Sequence, residues 1–171
     1  MDALTLQSLS PTLVIALGVI ALMSQTAFRR HSGAALSISL GSLLISLWLS
    51  VGTWPAASVQ ATPLLVVDDY ARLFPVVLTL TAIATIIVSQ AWMLPKELDQ
   101  HEFFMLVLIA TFGAMVLAHA QHFAAFLLGL EIMGVAIYAL IAYPDKAWLP
   151  IEAGLKYLVL SSASTAILLF G

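Results

Sequence analysis

The stretch FAAFLLGLEIMGVAIYALIAY, residues 123–143, decides the fold class. Glu131 is its only charged residue, and as a helix rising 1.5 Å per residue the stretch can cross a hydrocarbon core of roughly 30 Å. The rest of the 171-residue chain is similar, with 62% hydrophobic and 9% charged residues and a mean hydropathy of +1.07. Soluble domains carry about 25% charged residues, so a soluble globular enzyme is excluded.

Further runs without Asp, Glu, Lys or Arg lie on both sides of this stretch, at residues 3–28, 31–67, 73–95, 103–130 and 157–171. They predict an all-α, polytopic integral membrane protein that forms one domain over residues 1–171. We predict six spanning helices, at about 11–28, 33–51, 73–94, 103–118, 123–143 and 150–171. Since no basic residue precedes the first apolar run, we expect a retained helix and not a cleaved leader.

The connections predict how the helices are arranged. Leu64–Val67 is short and β-rich, which predicts an extended segment on the outer face. The connections after the fourth and fifth helices are short, so we expect helices four, five and six to be antiparallel neighbours. Along the second helix, four serines share one face, either as a packing surface of small residues or as a lining for water: Ser39, Ser42, Ser46 and Ser50.

The basic residues predict the orientation. Four of them fall in the first, third and fifth connections and one in the second, which places the N-terminus outside the cytoplasm: Arg29, Arg30, Lys96 and Lys146 against Arg72. No basic patch indicates a nucleic-acid partner. The chain has no cysteine, so it can supply neither a disulfide nor thiolate ligands for iron–sulfur clusters or zinc.

Glu131 is the most informative residue. It lies roughly 12 Å and 18 Å from the two ends of its predicted helix, near the middle of the bilayer. A carboxylate there costs several kcal/mol unless it is paired, hydrated or protonated. One interpretation is a proton-path carboxyl group that binds and releases a proton, and the other is a structural glutamate bonded to a neighbouring helix. Gly129 and Gly134 beside it predict a close approach of neighbouring helices.

Lys156 is the second charge inside a predicted helix, about 9 Å from its start at Pro150. Its stem either extends back to the interface or reaches Glu131 on the neighbouring helix, whose estimated depth differs by about 9 Å. In the second case each charge lowers the cost of the other, and both belong to one proton path. Glu152 lies four residues earlier on the same face. It either delivers protons or complements the dipole at the start of the helix.

His119 and His122 lie around the outer turn between helices four and five. Two histidines three residues apart, without a third ligand, are too few for the usual metal or haem sites. We therefore expect turn histidines in contact with water. A role in proton exit is a weaker alternative, because an imidazole can exchange a proton near neutral pH.

Together these stretches resemble the antiporter-like membrane subunits of respiratory complex I, and most nearly the subunit N branch of bacterial NADH–quinone oxidoreductase. The segments that carry the resemblance are EFFMLVLIATFGAMVLA, HFAAFLLGLEIMGVAIYALIAY and EAGLKYLVLSSASTAILLFG, within residues 102–171, and more weakly VVDDYARLF at 66–74. The most specific positions are Glu131 in LGLEIMG and Lys156 in EAGLKY.

The resemblance implies the first part of the antiporter-like fold and a non-redox subunit of a bacterial inner-membrane complex. Glu131 would match the fifth-helix glutamate of the proton path, and Lys156 the sixth-helix lysine. NADH, flavin, iron–sulfur clusters and quinone would belong to other subunits, so no cofactor is expected in this chain. The partners would be the lipid bilayer and other complex I membrane subunits, above all the sister antiporter-like ones.

Members of that family continue through a lysine-bearing broken helix into an inverted second half. We therefore expect this sequence to be an N-terminal part that does not pump alone. Two other functions remain open: a subunit of a multisubunit cation/proton antiporter, and a structural or assembly subunit. The electron acceptor, the coupled ion, the stoichiometry and the subunit contacts are not determined by the sequence.

Overall fold

The apolar runs form helices because a segment inside a bilayer must satisfy its own backbone N–H and C=O groups. The computed structural model describes residues 3–28, 32–52, 58–94, 100–143 and 148–171. Within them, six helices are long and apolar enough to cross a membrane. In chain order the elements are α1 Ala3–Phe28, α2 Ser32–Gly52, β1 Val59–Thr62, β2 Leu65–Val67, α3 Asp69–Met93, α4 His101–His119, α5 Phe123–Ala142 and α6 Trp148–Phe170.

The first and third helices begin earlier than the sequence predicted. α1 begins at Ala3 and contains Pro11 in its interior instead of starting there. Pro11 has no N–H for the carbonyl of Gln7, and the hydroxyl of Ser10 donates to that carbonyl at 2.7 Å. α3 begins at Asp69 because the side chain of Asp68 caps it, accepting a hydrogen bond from the amide of Ala71 at 2.7 Å.

The connection between α2 and α3 contains a small hairpin. The predicted extended segment is present as β2, and it pairs with β1 in an antiparallel register that joins Val59 to Val67. The hairpin also contacts the α4–α5 turn, where the amide of Gln121 donates to the carbonyl of Leu64 at 2.9 Å. We call this end of the helices the hairpin end.

The core lies among the first four helices. The ten buried residues of the main apolar cluster all come from them: Ile15, Leu22, Ala35, Leu43, Ala82, Ile86, Phe104, Val107, Leu108 and Met115. α5 packs on α4 and α6 packs on α5, as the short connections predicted. The two C-terminal helices therefore lie outside the core, with one face of each still uncovered.

The serine face of α2 is a packing surface. All four predicted serines are buried. The side chain of Ser42 lies against Gly18 of α1, where an added Cβ would be only 2.7 Å away. Ser46 donates its hydroxyl to the carbonyl of Pro11, also in α1, at 2.9 Å. The packing interpretation is therefore the correct one.

Two glycines set the crossing of α4 and α5. A Cβ on Gly113 would lie 2.5 Å from the amide nitrogen of Met133, and one on Gly129 would lie 2.7 Å from that of Leu117. Real Cβ atoms do not approach backbone so closely, and only glycine allows this contact. The close approach predicted at Gly129 is therefore made by α4.

Four of the five basic residues that predict the orientation lie outside the described part of the chain. They are Arg29, Arg30, Lys96 and Lys146. The orientation of the N-terminus therefore stays a prediction.

Candidate functional site

The structure places Glu131 on the face of α5 that points away from the core. Ala125, Gly129 and Ala136 are the buried residues of α5, and Gly129 lies against α4. At about 100° per residue, Glu131 lies roughly 200° around the helix from Gly129. Its side chain is exposed, and within the described residues it has no hydrogen bond or ion pair. Among the described residues, nothing therefore supports the alternative interpretation, in which Glu131 is a structural residue bonded to a neighbouring helix.

Lys156 pairs with Glu152 and not with Glu131. Its Nζ lies 2.6 Å from Oε1 of Glu152, and the two side chains are 70% and 40% exposed. Of the two alternatives for Lys156, the one in which its stem reaches Glu131 directly is therefore not the arrangement in this structure. The cause is the direction of the side chain: Gly154 faces α5, and Lys156 lies two residues, or roughly 200°, further around α6.

α5 and α6 touch closely near one end and separate towards the hairpin end. A Cβ on Gly154 would lie 2.8 Å from that of Ala142, whereas one on Gly134 would lie 3.8 Å from the hydroxyl of Ser161. Beyond that point a cleft of about 470 Å³ opens between the helices. Hydroxyl groups of α6 line it among apolar side chains: Tyr157, Ser161, Ser164 and Thr165. Leu130, which precedes Glu131, also lines the cleft, but Glu131 itself does not.

The two histidines of the outer turn have different environments. His119 is the last residue of α4 and is only 3% exposed. Its Nδ1 lies 2.5 Å from the carbonyl oxygen of Met115, one helical turn earlier. His122 is exposed and caps α5, accepting from the amide of Ala124 at 3.1 Å. The expected contact with bulk water fits His122, whereas His119 is buried beneath residues of α1, α2, α3 and β2.

Sequence reasoning missed the burial of Arg72. The sequence predicts Arg72 in the second connection, but it lies in the first turn of α3, is 5% exposed, and pairs with Asp69 at 3.4 Å. Arg72, His119, Ser8 and Ser50 line a small cavity of about 10 Å³, close to the space of one water. An aspartate before an apolar run is a helix-start signal, and this signal at Asp68 could have placed Arg72 inside α3.

Two comparisons with known proteins bear on this arrangement. The described fold superimposes on a chain of respiratory complex I from Thermus thermophilus, determined with bound aureothin, with a TM-score of 0.80 and 24% sequence identity. The match covers 94% of this chain. The fold is therefore of the complex I antiporter-like type, as the sequence predicted. This chain covers 35% of the Thermus chain's length, so it corresponds to about a third of that fold.

A family model described as "NADH:quinone oxidoreductase/Mrp antiporter, TM" matches residues 120–171. This segment contains four of the five candidate residues: His122, Glu131, Glu152 and Lys156. His119 lies immediately before it. The matched segment thus comprises α5, α6 and the connection between them. These two helices are the ones that lie outside the core.

Proposed function

We propose that this chain is a non-redox, proton-translocating part of the membrane arm of NADH–quinone oxidoreductase, closest to its subunit N. The observation that carries the proposal is the position of Glu131. Along the axis of α5, Glu131 lies roughly 12 Å from one end and 17 Å from the other, on an exposed face and without a partner among the described residues. Charged groups at that depth are costly in lipid and therefore rare, and those that occur often mark ion or proton paths.

The cost of an exposed carboxylate indicates what must cover α5 and α6. Hydrocarbon chains cannot solvate Glu131, Lys156 or Glu152. The uncovered face of these helices therefore meets further protein together with water, supplied by other helices of the complex. The family match over residues 120–171 supports this interpretation, because it falls on these two helices.

The proposed mechanism uses Glu131 as the proton-binding group. A nearby cation favours the ionised carboxylate, and its withdrawal favours the protonated one. Lys156 is paired with Glu152 on the far side of α6. In the proposed mechanism the ammonium group of Lys156 exchanges Glu152 for a group on the covering protein, and this exchange changes its effect on Glu131. Conformational change in the complex drives this exchange, so Glu131 binds a proton in one state and releases it in the other. The hydroxyl-lined cleft beside Leu130 supplies space for water on the route.

The redox chemistry lies in other subunits under this proposal. NADH, flavin, iron–sulfur clusters and quinone bind elsewhere in the complex, and this chain contributes no cofactor ligand. The complex lies in a bacterial inner membrane, with the N-terminus of this chain outside the cytoplasm. Its neighbours are other membrane subunits, in particular the sister antiporter-like ones.

A multisubunit cation/proton antiporter is the second candidate, because the matching family model is described by both systems. The two differ in what drives the proton. Vesicles from cells that lack the chain, and from cells in which it is restored, separate them. We expect restoration to recover acidification driven by NADH and to leave proton flux driven by a sodium gradient unchanged. Recovery of the sodium-driven flux alone would assign the antiporter. Recovery of NADH oxidation and assembly without any pumping would assign a structural role.

A further inference from the structure

The two histidines of the outer turn make opposite kinds of hydrogen bond. Nδ1 of His119 faces the carbonyl oxygen of Met115, which can only accept, so this nitrogen carries the hydrogen and donates. Nδ1 of His122 faces the amide of Ala124, which can only donate, at 3.1 Å, so this nitrogen accepts with its lone pair. The hydrogen bond of His122 therefore exists only while its imidazole ring is neutral.

His122 occupies the N-cap position of α5. Its backbone is extended, with φ −118° and ψ 144°, and its carbonyl oxygen accepts from the amides of Ala125 and Phe126 at 3.0 Å each. The side chain satisfies the amide of Ala124, one of the N–H groups that the start of a helix leaves without a partner. Serine, threonine, aspartate and asparagine usually fill this position. Histidine supplies a similar acceptor, but an imidazole gains a proton between about pH 8 and pH 5.

Protonation of His122 acts on the start of α5 in two ways. The imidazolium ion has a hydrogen on both nitrogens, so it cannot accept from the amide of Ala124. It also places a positive charge at the positive end of the helix dipole. Both effects favour an open first turn of α5 at low pH and a closed one at high pH.

The elements that meet at the hairpin end contain few charged groups. Within the described residues, α1, α2, β1, β2, the turn at 120–122 and the first two turns of α5 contain no Asp, Glu, Lys or Arg. Charged groups lie at the start of α3, where Asp68 caps the helix and Asp69 pairs with Arg72. His119 is titratable but buried. His122 is exposed, so protons from the water at this end reach it directly.

We propose that His122 is a pH-sensitive cap: a proton bound from the water at the hairpin end releases the first turn of α5, the helix that carries Glu131. The rest of the helix is retained, because Glu131 lies eight residues after Phe123, more than two turns from the cap. The amide of Gln121 stays bonded to Leu64, so the turn remains attached to the hairpin. Under the proposed function and the predicted orientation, this end faces the side that receives the protons, and the cap transmits the acidity of that side to α5.

Hydrogen exchange at two pH values tests the cap. The chain, purified with the polypeptides that accompany it from its own membrane, is exchanged at about pH 8 and about pH 5.5, near the two ends of the range in which an imidazole titrates. Mass spectrometry with electron-transfer fragmentation follows the amide of Ala124, and each rate is divided by the intrinsic rate at that pH. We expect protection to fall about fivefold at the lower pH, the change expected when a helix loses its N-cap. The amide of Ala71, which is capped by the carboxylate of Asp68, is the internal control and should keep its protection.

Two variants separate the imidazole from the rest of the turn. His122→Asn supplies an acceptor that does not titrate, so the amide of Ala124 should stay protected at both pH values. His122→Ala removes the acceptor, so protection should be low at both. Equal protection of the parent at the two pH values would overturn the proposal, as would the same fall in His122→Asn as in the parent. The measurement needs neither NADH nor pumping, so its failure is distinct from a failure of the function proposed for Glu131.

Discussion

Lys156 and Glu152 lie one turn apart on the outward face of α6, with Nζ and Oε1 separated by 2.6 Å. The ammonium group that the sequence suggested as a direct partner of Glu131 is thus held by a carboxylate of its own helix. The two groups of the proposed path lie on different uncovered faces, one on α5 and one on α6. Under the proposed function, any coupling between them passes through protein and water that cover these faces.

The Lys156–Glu152 pair should contribute little to the stability of the isolated chain. Exposed pairs four residues apart on a helix contribute about 0.3–0.5 kcal/mol, because solvent screens them and the side chains lose conformational entropy. A double-mutant cycle with Lys156→Met and Glu152→Gln, measured by unfolding in detergent, should give a coupling of that size. A coupling above about 2 kcal/mol would show a buried, structural pair and would weaken its proposed role as an exchangeable one.

The glycine crossing of α4 and α5 should be intolerant of any side chain. Gly113→Ala and Gly129→Ala each place a methyl group against backbone atoms, and overpacking of this kind costs about 1–3 kcal/mol. Gly41→Ala is the matched control, because nothing lies within 4 Å of a Cβ at that position. We expect the first two variants to unfold at lower temperature in detergent and the third to equal or exceed the parent. Three equal melting temperatures would contradict the described crossing.

The α1–α2 contact should depend on one serine hydroxyl. Ser46→Ala removes the 2.9 Å hydrogen bond to Pro11, which should cost about 0.6 kcal/mol and at most about 1.7 kcal/mol. Ser37→Ala provides the comparison, since Ser37 is exposed and its hydroxyl bonds only to the carbonyl of Ala34 in its own helix. Chemical unfolding should separate the two variants. A larger loss at Ser37 than at Ser46 would show that the serine face does not pack as described.

The sequence predicted the helices well because apolar runs and charges report depth in the membrane. Depth alone placed Glu131 near the middle of α5. It could not give the direction of Lys156, because direction depends on which side of α6 packs on α5, and the contact of Gly154 with Ala142 decides that. The charge pattern reports how far along the helix axis a residue lies, but it does not report the direction around the axis in which its side chain points.

Local chemistry explains the other differences. Pro11 resembled a helix start, yet α1 passes through it because Ser10 donates to the carbonyl that the proline leaves without a donor. The strand Val59–Thr62 was not predicted, since VQAT alternates apolar and polar residues over only four positions and its partner, Leu65–Val67, is shorter still. The burial of His119 and Arg72 depends on long-range packing at the hairpin end, which no local pattern reports.

The central claim is that Glu131 carries protons, and the most direct measurement is proton pumping by the assembled complex with Glu131→Gln. Glu102→Gln is the matched control, because Glu102 is an exposed carboxylate in the first turn of α4, away from the candidate site. In inside-out vesicles, with complex content matched, NADH-driven acidification should fall at least about tenfold in the Glu131 variant, since a neutral amide cannot bind and release the proton. The control should pump as the parent does. Full pumping rate and stoichiometry in the assembled Glu131→Gln complex would contradict the account.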